Sequence, residues 1–203
     1  MSDGSLTPAL VEQAFGTARR IGFPLTPDDP GHGRGSACLP GVGRFLAVLA
    51  AGCVDGRIAE LGTGAGVGTA WMASAMPADS TLVTAEIDPV RAAAAAELLA
   101  ADTRVRVLAG DAFCVLEPYA PFDLIFADSG VRDDSAFKAV VGMLRPGGRI
   151  VMDDVTPVAA LPVDSPLRVS DVKRAMFAAA VGLTWTEVVL PDLENSLLVG
   201  TRG

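Results

Sequence analysis

The chain has 203 residues, of which 50% are apolar and 20% charged, and its 16 Lys and Arg against 24 Asp and Glu leave a formal charge of −8. That length fits one domain with a substantial core. The acidic balance argues against binding to nucleic acid or to an anionic membrane, both of which need clustered Lys and Arg to meet a polyanion. The three cysteines, Cys38, Cys53 and Cys114, are odd in number and have no C-x-x-C spacing. Neither a disulfide framework nor a zinc knuckle is expected, and a reducing cytoplasm is the simplest setting. The stretch Met1 to Gly4 carries an acid where a signal peptide needs bases, and the longest uncharged run, Leu61 to Ala78, is interrupted by Gly62, Gly64, Gly66, Gly68 and Pro77. Neither export nor membrane insertion is expected from such segments.

In chain order, residues 1–50 read as an arm and lid: a helix over Thr7–Ile21, a Pro/Gly-rich loop from Gly22 to Gly43, and an apolar helix from Arg44 to Ala51. Residues 51–203 form the main domain. From Arg57 short apolar runs alternate with helical stretches. Ile58–Leu61, Thr81–Ile87, Val105–Leu108, Phe122–Ala127 and Arg149–Asp153 read as buried parallel strands. Thr69–Met76, Val90–Ala101, Ala112–Leu116 and Ser135–Leu144 read as the helices between them. The loop Val155–Pro166 leads to a helix over Ser170–Val181 and then to two strands, Leu183–Leu190 and Ser196–Thr201. The short link at 191–195 cannot hold a parallel crossover, so the last two strands must form a hairpin. The expectation is an α/β, doubly wound, mostly parallel seven-stranded sheet with a C-terminal antiparallel hairpin.

Glu60-Leu61-Gly62-Thr63-Gly64-Ala65-Gly66-Val67-Gly68 closes the first strand and opens a helix, the place where such sheets bind nucleotide-type ligands. The dinucleotide fingerprint G-x-G-x-x-G fails on spacing, because its third glycine falls on Val67. A carboxylate at Glu60 would repel a pyrophosphate and attract an ammonium group, so a cofactor with a cationic amino group is favoured. Glu86, at the end of the second strand, can accept hydrogen bonds from both hydroxyls of a ribose.

The segments Glu60–Gly68, Glu86–Pro89, Gly110-Asp111-Ala112, Phe122–Asp128 and Leu144–Asp154 together resemble the consecutive motifs of class I S-adenosylmethionine-dependent methyltransferases. More narrowly they resemble the small O-methyltransferases related to catechol and caffeoyl-CoA O-methyltransferases. The resemblance implies a Rossmann-like methyltransferase fold and S-adenosylmethionine as cofactor. It places Gly62, Thr63, Gly64 and Gly66 near the methionine moiety and Glu60 at its amino group. Glu86 and Ile87 then lie at the ribose, Gly110, Asp111 and Ala112 beside the adenine, and Asp128 at the reacting end.

Asp128 ends the fourth strand and Asp153-Asp154 the fifth, and neighbouring strands are ~5 Å apart, so the three carboxylates can converge on one hard cation, most simply Mg²⁺. The metal-dependent members of the family have Asp, then Asp-Asn, at these positions; here the amide is an acid. They also place a lysine three residues after the first metal aspartate to deprotonate the acceptor, and that position is Val131. Arg132 is one place late and too basic to replace it. His32, the only histidine, lies in the lid region and is the other candidate base, beside Asp128 as a catalytic residue. The leading expectation is methyl transfer to a hydroxyl of a small molecule. Metal-independent N- or C-methylation, a non-catalytic nucleoside-binding domain and a nicotinamide-dependent reductase stay open. So does assembly as a homodimer.

Overall fold

The computed structural model describes residues 7–26, 28, 29, 36–157, 169–190 and 195–203. Its sheet has seven strands: β1 (Arg57–Leu61), β2 (Thr81–Glu86), β3 (Val105–Ala109), β4 (Phe122–Ala127), β5 (Leu144–Val155), β6 (Leu183–Leu190) and β7 (Asn195–Arg202). They lie in the order β3-β2-β1-β4-β5-β7-β6. β1 to β5 are parallel, and β7 runs antiparallel to both β5 and β6. The expected hairpin is thus present, its register closing at Leu190 opposite Asn195, while its connecting residues 191–194 lie outside the described residues.

β1, β2 and β4 are almost entirely buried because both faces of the sheet are covered. On one face lie α1 (Ala9–Ile21), α2 (Pro40–Ala51), α3 (Val67–Ala75) and α4 (Pro89–Leu99). Val11, Ala14, Val42, Leu46 and Trp71 join Ile58, Leu82 and Phe126 in that layer. On the other lie α5 (Ala112–Val115), α6 (Asp134–Gly142) and α7 (Val169–Ala179), where Phe137, Val140 and Phe177 pack on Ile125, Ile150 and Leu198. Trp185 is half-buried at the edge of this layer, its ring edge-on to Phe177 at 5.8 Å. The chain winds outward from β1 to β3 and then crosses back to β4, so a crevice opens at the carboxyl ends of β1 and β4. Among the described residues no helix is long and apolar enough to cross a membrane.

Several boundaries differ from the sequence reading, each for a local reason. α2 starts at Pro40 and not at Arg44, because proline at the first helical position is preset in φ and loses no hydrogen bond. Gly43, expected in the loop, is a helix residue that lets the Trp71 ring lie against the α2 backbone. β5 starts at Leu144, ahead of the expected Arg149. Phe122 pairs with Leu144 and Leu124 with Arg149, so Pro146-Gly147-Gly148 forms an irregular bulge within the strand. α5 is one turn, followed by a 3₁₀ turn over Glu117–Tyr119.

The contact between α2 and α3 fixes the helix that follows the glycine loop. A Cβ at position 43 would overlap the buried Trp71 ring. Gly43→Ala is therefore expected to destabilise the fold by about 1–3 kcal/mol, the usual cost of overpacking. Urea unfolding would show a lower midpoint at unchanged slope, and an unchanged midpoint would contradict the packing described.

Candidate active site

The glycine loop is fastened to β2 before it turns away: Gly62 N and Thr63 N both donate to Ala85 O, at 2.9 and 3.1 Å. Gly62 and Gly64 have φ of 96° and 54°, the left-handed region that glycine enters without strain. A side chain at Gly62 would strike Ser129, and one at Gly64 would crowd the Phe23 ring. The loop therefore presents bare backbone to the crevice. Gly66 is different, since it caps α3 and faces Leu98 and Ala95, which makes it a helix-packing residue.

Beneath the loop lies Glu60, only 1% exposed. Its Oε2 accepts from the hydroxyls of Thr84 (2.7 Å) and Thr69, and Thr84 Oγ1 also meets Thr63 Oγ1 at 2.6 Å. Burial pushes the Glu60 carboxyl up to about 7; the two threonine bonds oppose the shift, and the charges of Glu86 and Asp153 add to it. Glu86 is held by main-chain donors, Gly64 N at 2.8 Å on Oε2 and Asp88 N at 3.0 Å on Oε1. Its carboxylate is thereby oriented, with lone pairs left for further donors.

Asp128, Asp153 and Asp154 meet at the ends of β4 and β5, where one oxygen from each lies within 4.8 Å of the others. Asp153 is buried, Asp128 half-buried and Asp154 exposed. Asp154 has φ 54°, unusual for a side chain other than glycine, and this turns consecutive residues toward one point. Scarcity of water, followed by the charges of Asp154 and Glu60, holds the Asp128 carboxyl well above its ordinary value. Asp153 is raised in the same way by burial, Asp128 and Asp154, with Lys173 acting against the shift. Asp153 Oδ1 is buried and has no hydrogen-bond partner among the described residues.

These groups share one cleft of about 580 Å³, whose walls include Gly62, Gly64, Glu86, Ile87, Asp128, Asp153 and Asp154. Glu60 and Thr63 line its inner recess. Gly110, Asp111 and Ala112 stand at the end of β3 outside these walls. Gly110 N donates to Glu86 O at 2.9 Å, and the Asp111 carboxylate caps α5 through Phe113 N at 2.9 Å. His32 lies outside the described residues. Val131 is 7% exposed and belongs to the core, so the position at which the resemblance to the metal-dependent members leads one to expect a lysine offers no group to the cleft.

Sequence reasoning did not single out Phe23, Cys38, Ser129 or Arg91, all of which line the cleft. Phe23 follows α1 and closes over Gly64, with the Arg91 guanidinium 4.7 Å from its ring centre. Burial, then the nearby carboxylates, pushes the Cys38 thiol well up, which favours its protonated form in the cleft wall. Lys173 was also missed. A lysine in an amphipathic helix reads as solvated surface, yet its Nζ donates to Asp153 O at 2.6 Å.

The family described as "Methyltransferase domain" matches residues 59–155, from β1 to the end of β5. A catechol O-methyltransferase of Niastella koreensis is 38% identical over 125 residues, and the match spans 57% of either chain. The O-methyltransferase TomG of Streptomyces achromogenes, solved in complex with S-adenosylmethionine, superposes with a TM-score of 0.73 at 27% identity, covering 97% of this chain and 90% of its own. A Mycobacterium sp. (strain JLS) protein named as an O-methyltransferase is 34% identical over 175 residues, 82% of this chain and 79% of that protein. The chain belongs to the S-adenosylmethionine-dependent O-methyltransferases.

The state of Glu60 in this O-methyltransferase gives a stability test. Its folded pKa of about 7 lies above the ordinary 4.5. The native state therefore holds the proton more tightly than the unfolded chain, and that stabilisation is complete below pH 4.5 and lost as pH rises through about 7. The urea midpoint of the ligand-free enzyme should fall between pH 5 and pH 8, and Glu60→Gln should flatten the fall. An equal slope in the variant would show that Glu60 does not titrate in this range.

Proposed function

We propose that this enzyme methylates a hydroxyl of a small molecule with the help of a divalent cation, Mg²⁺, held by Asp128, Asp153 and Asp154. The observation that carries the reading is the gathering of three carboxylates, one oxygen of each within 4.8 Å of the others; beside it, Asp153 Oδ1 is buried with no hydrogen-bond partner among the described residues. Burial first, and then the neighbouring carboxylates, hold the Asp128 and Asp153 carboxyls above their ordinary values, a cost that a bound cation would offset. The donor set is all oxygen, which suits a hard cation, and the exposed Asp154 leaves the site open toward the cleft.

The cofactor residues fit S-adenosylmethionine in charge and in hydrogen-bonding sense. The bare backbone at Gly62 and Gly64 admits close approach of the methionine moiety. The Glu60 carboxylate below the loop offers negative charge to an ammonium group, and the Glu86 oxygens, already fixed by Gly64 N and Asp88 N, accept from ribose hydroxyls. When bound, S-adenosylmethionine supplies a methyl group on a cationic sulfur, and the dication supplies a Lewis acid that lowers the pKa of the acceptor hydroxyl. The protein's part is to hold the two reactants in line and keep water scarce between them. Val131 is buried in the core and supplies no base. The reading belongs in a reducing compartment such as the cytoplasm, since Cys38, Cys53 and Cys114 are all free thiols.

Two outcomes follow. Chelator-treated enzyme assayed with a catechol should regain activity on titration with Mg²⁺, and Asp153→Ala should fail to respond; full activity in chelator, with the variant unimpaired, would make the enzyme metal-independent. Glu86→Ala should weaken S-adenosylhomocysteine binding by about 1.5–3 kcal/mol, the scale of hydrogen bonds to a charged group. Unchanged affinity by calorimetry would remove Glu86 from the cofactor site.

A further inference from the structure

α7 holds the end of β5 by its main chain. Lys173 Nζ donates to Asp153 O at 2.6 Å and reaches Asp154 O at 3.5 Å. Thr156 N donates to Ser170 Oγ at 2.9 Å, and Arg174 Nη2 donates to Thr156 O at 2.6 Å. Arg174 is itself held by both oxygens of Glu187, each at 2.8 Å, and Ser196 Oγ donates to Val155 O at 2.9 Å. Every residue from Asp153 to Thr156 thus has a main-chain polar group gripped by a side chain of α7 or β7. This support surrounds the last residues of β5 and the first beyond it. It coincides with the left-handed turn at Asp154, which relaxes toward an ordinary conformation unless the carbonyls on either side are fixed.

We infer that Lys173 is a positioning residue for the carboxylate pair Asp153-Asp154, locking the turn that aims both side chains at the cation. The inference rests on the reading of Asp128, Asp153 and Asp154 as a metal site. It explains how the enzyme has a lysine beside its acids although position 131 is valine: the ammonium comes from α7 and acts on the backbone, away from the cleft face. A lysine kept only for its charge should behave in the opposite way, because a cation beside a cation site weakens metal binding, and its removal would then tighten it.

The two roles are separated by Mn²⁺ titration of chelator-treated protein, read by the paramagnetic resonance of free Mn²⁺. Lys173→Met should lower Mn²⁺ affinity about tenfold or more, the usual effect of removing support from a metal ligand, and Lys173→Arg should recover most of it. Ser170→Ala, a milder cut into the same support, should shift affinity in the same direction. S-adenosylhomocysteine affinity, measured by calorimetry on the same samples, should stay at the wild-type value and report an intact fold. Mn²⁺ binding as tight as, or tighter than, wild type in both Lys173→Met and Ser170→Ala would overturn the inference and leave the metal site standing. Wild type that binds no Mn²⁺, or binds it equally after Asp153→Asn, would remove the metal site and the inference with it.

Discussion

Five carboxylates, Glu60, Glu86, Asp128, Asp153 and Asp154, converge on one cleft at the carboxyl edge of the sheet, and the rest of the site is arranged around that crowding. Burial, and to a smaller degree the neighbouring carboxylates, raise the carboxyls of Glu60, Asp128 and Asp153. A fold has no reason to bear this for stability alone. The cost makes sense when the ligands are cations, and a sulfonium with an ammonium group is such a ligand. A dication at the Asp128 end would complete the balance.

The arrangement follows from topology. Parallel strands point all their carboxyl ends one way, and the reversal between β1 and β4 opens a crevice between the loops that follow them. Each acid sits at the end of, or just beyond, a parallel strand of the sheet. Glu86 can therefore be held by main-chain donors and Glu60 by threonine hydroxyls without disturbing the core. Glu60 shows the limit of this scheme: two residues further into β1 than the loop, it is buried, and threonines at 69 and 84 satisfy it.

Much of this was legible in the sequence because it is carried by short-range pattern. Alternating apolar runs and helices gave the seven strands, the length of the 191–195 link required the hairpin, and the acids at strand ends marked the cleft. What was not legible depends on contacts between distant segments. Pro40, Gly41 and Gly43 look like loop residues until Trp71, 28 positions after Gly43, is seen to need the space. Pro146-Gly147-Gly148 looks like a terminator until its pairing with β4 shows a bulge. Phe23 and Arg91 reach the cleft from different helical segments, and no local spacing connects them. Lys173 carries no signal in its own helix because its partners are backbone carbonyls, which have no residue type to recognise. Asp111 is the converse case: its motif placed it at the adenine, and the structure gives its carboxylate a helix to cap.

The central claim, that the buried acid under the glycine loop waits for a cationic ligand, is tested most directly by counting protons. Metal-free enzyme is titrated with S-adenosylmethionine near pH 6.5 in buffers of different ionisation enthalpy, for wild type and Glu60→Gln. An ammonium group that draws Glu60 into its ionised form must expel the proton held there, so wild type should release protons on binding and the variant should release fewer. Binding without proton release, or release that survives the substitution unchanged, would contradict the account.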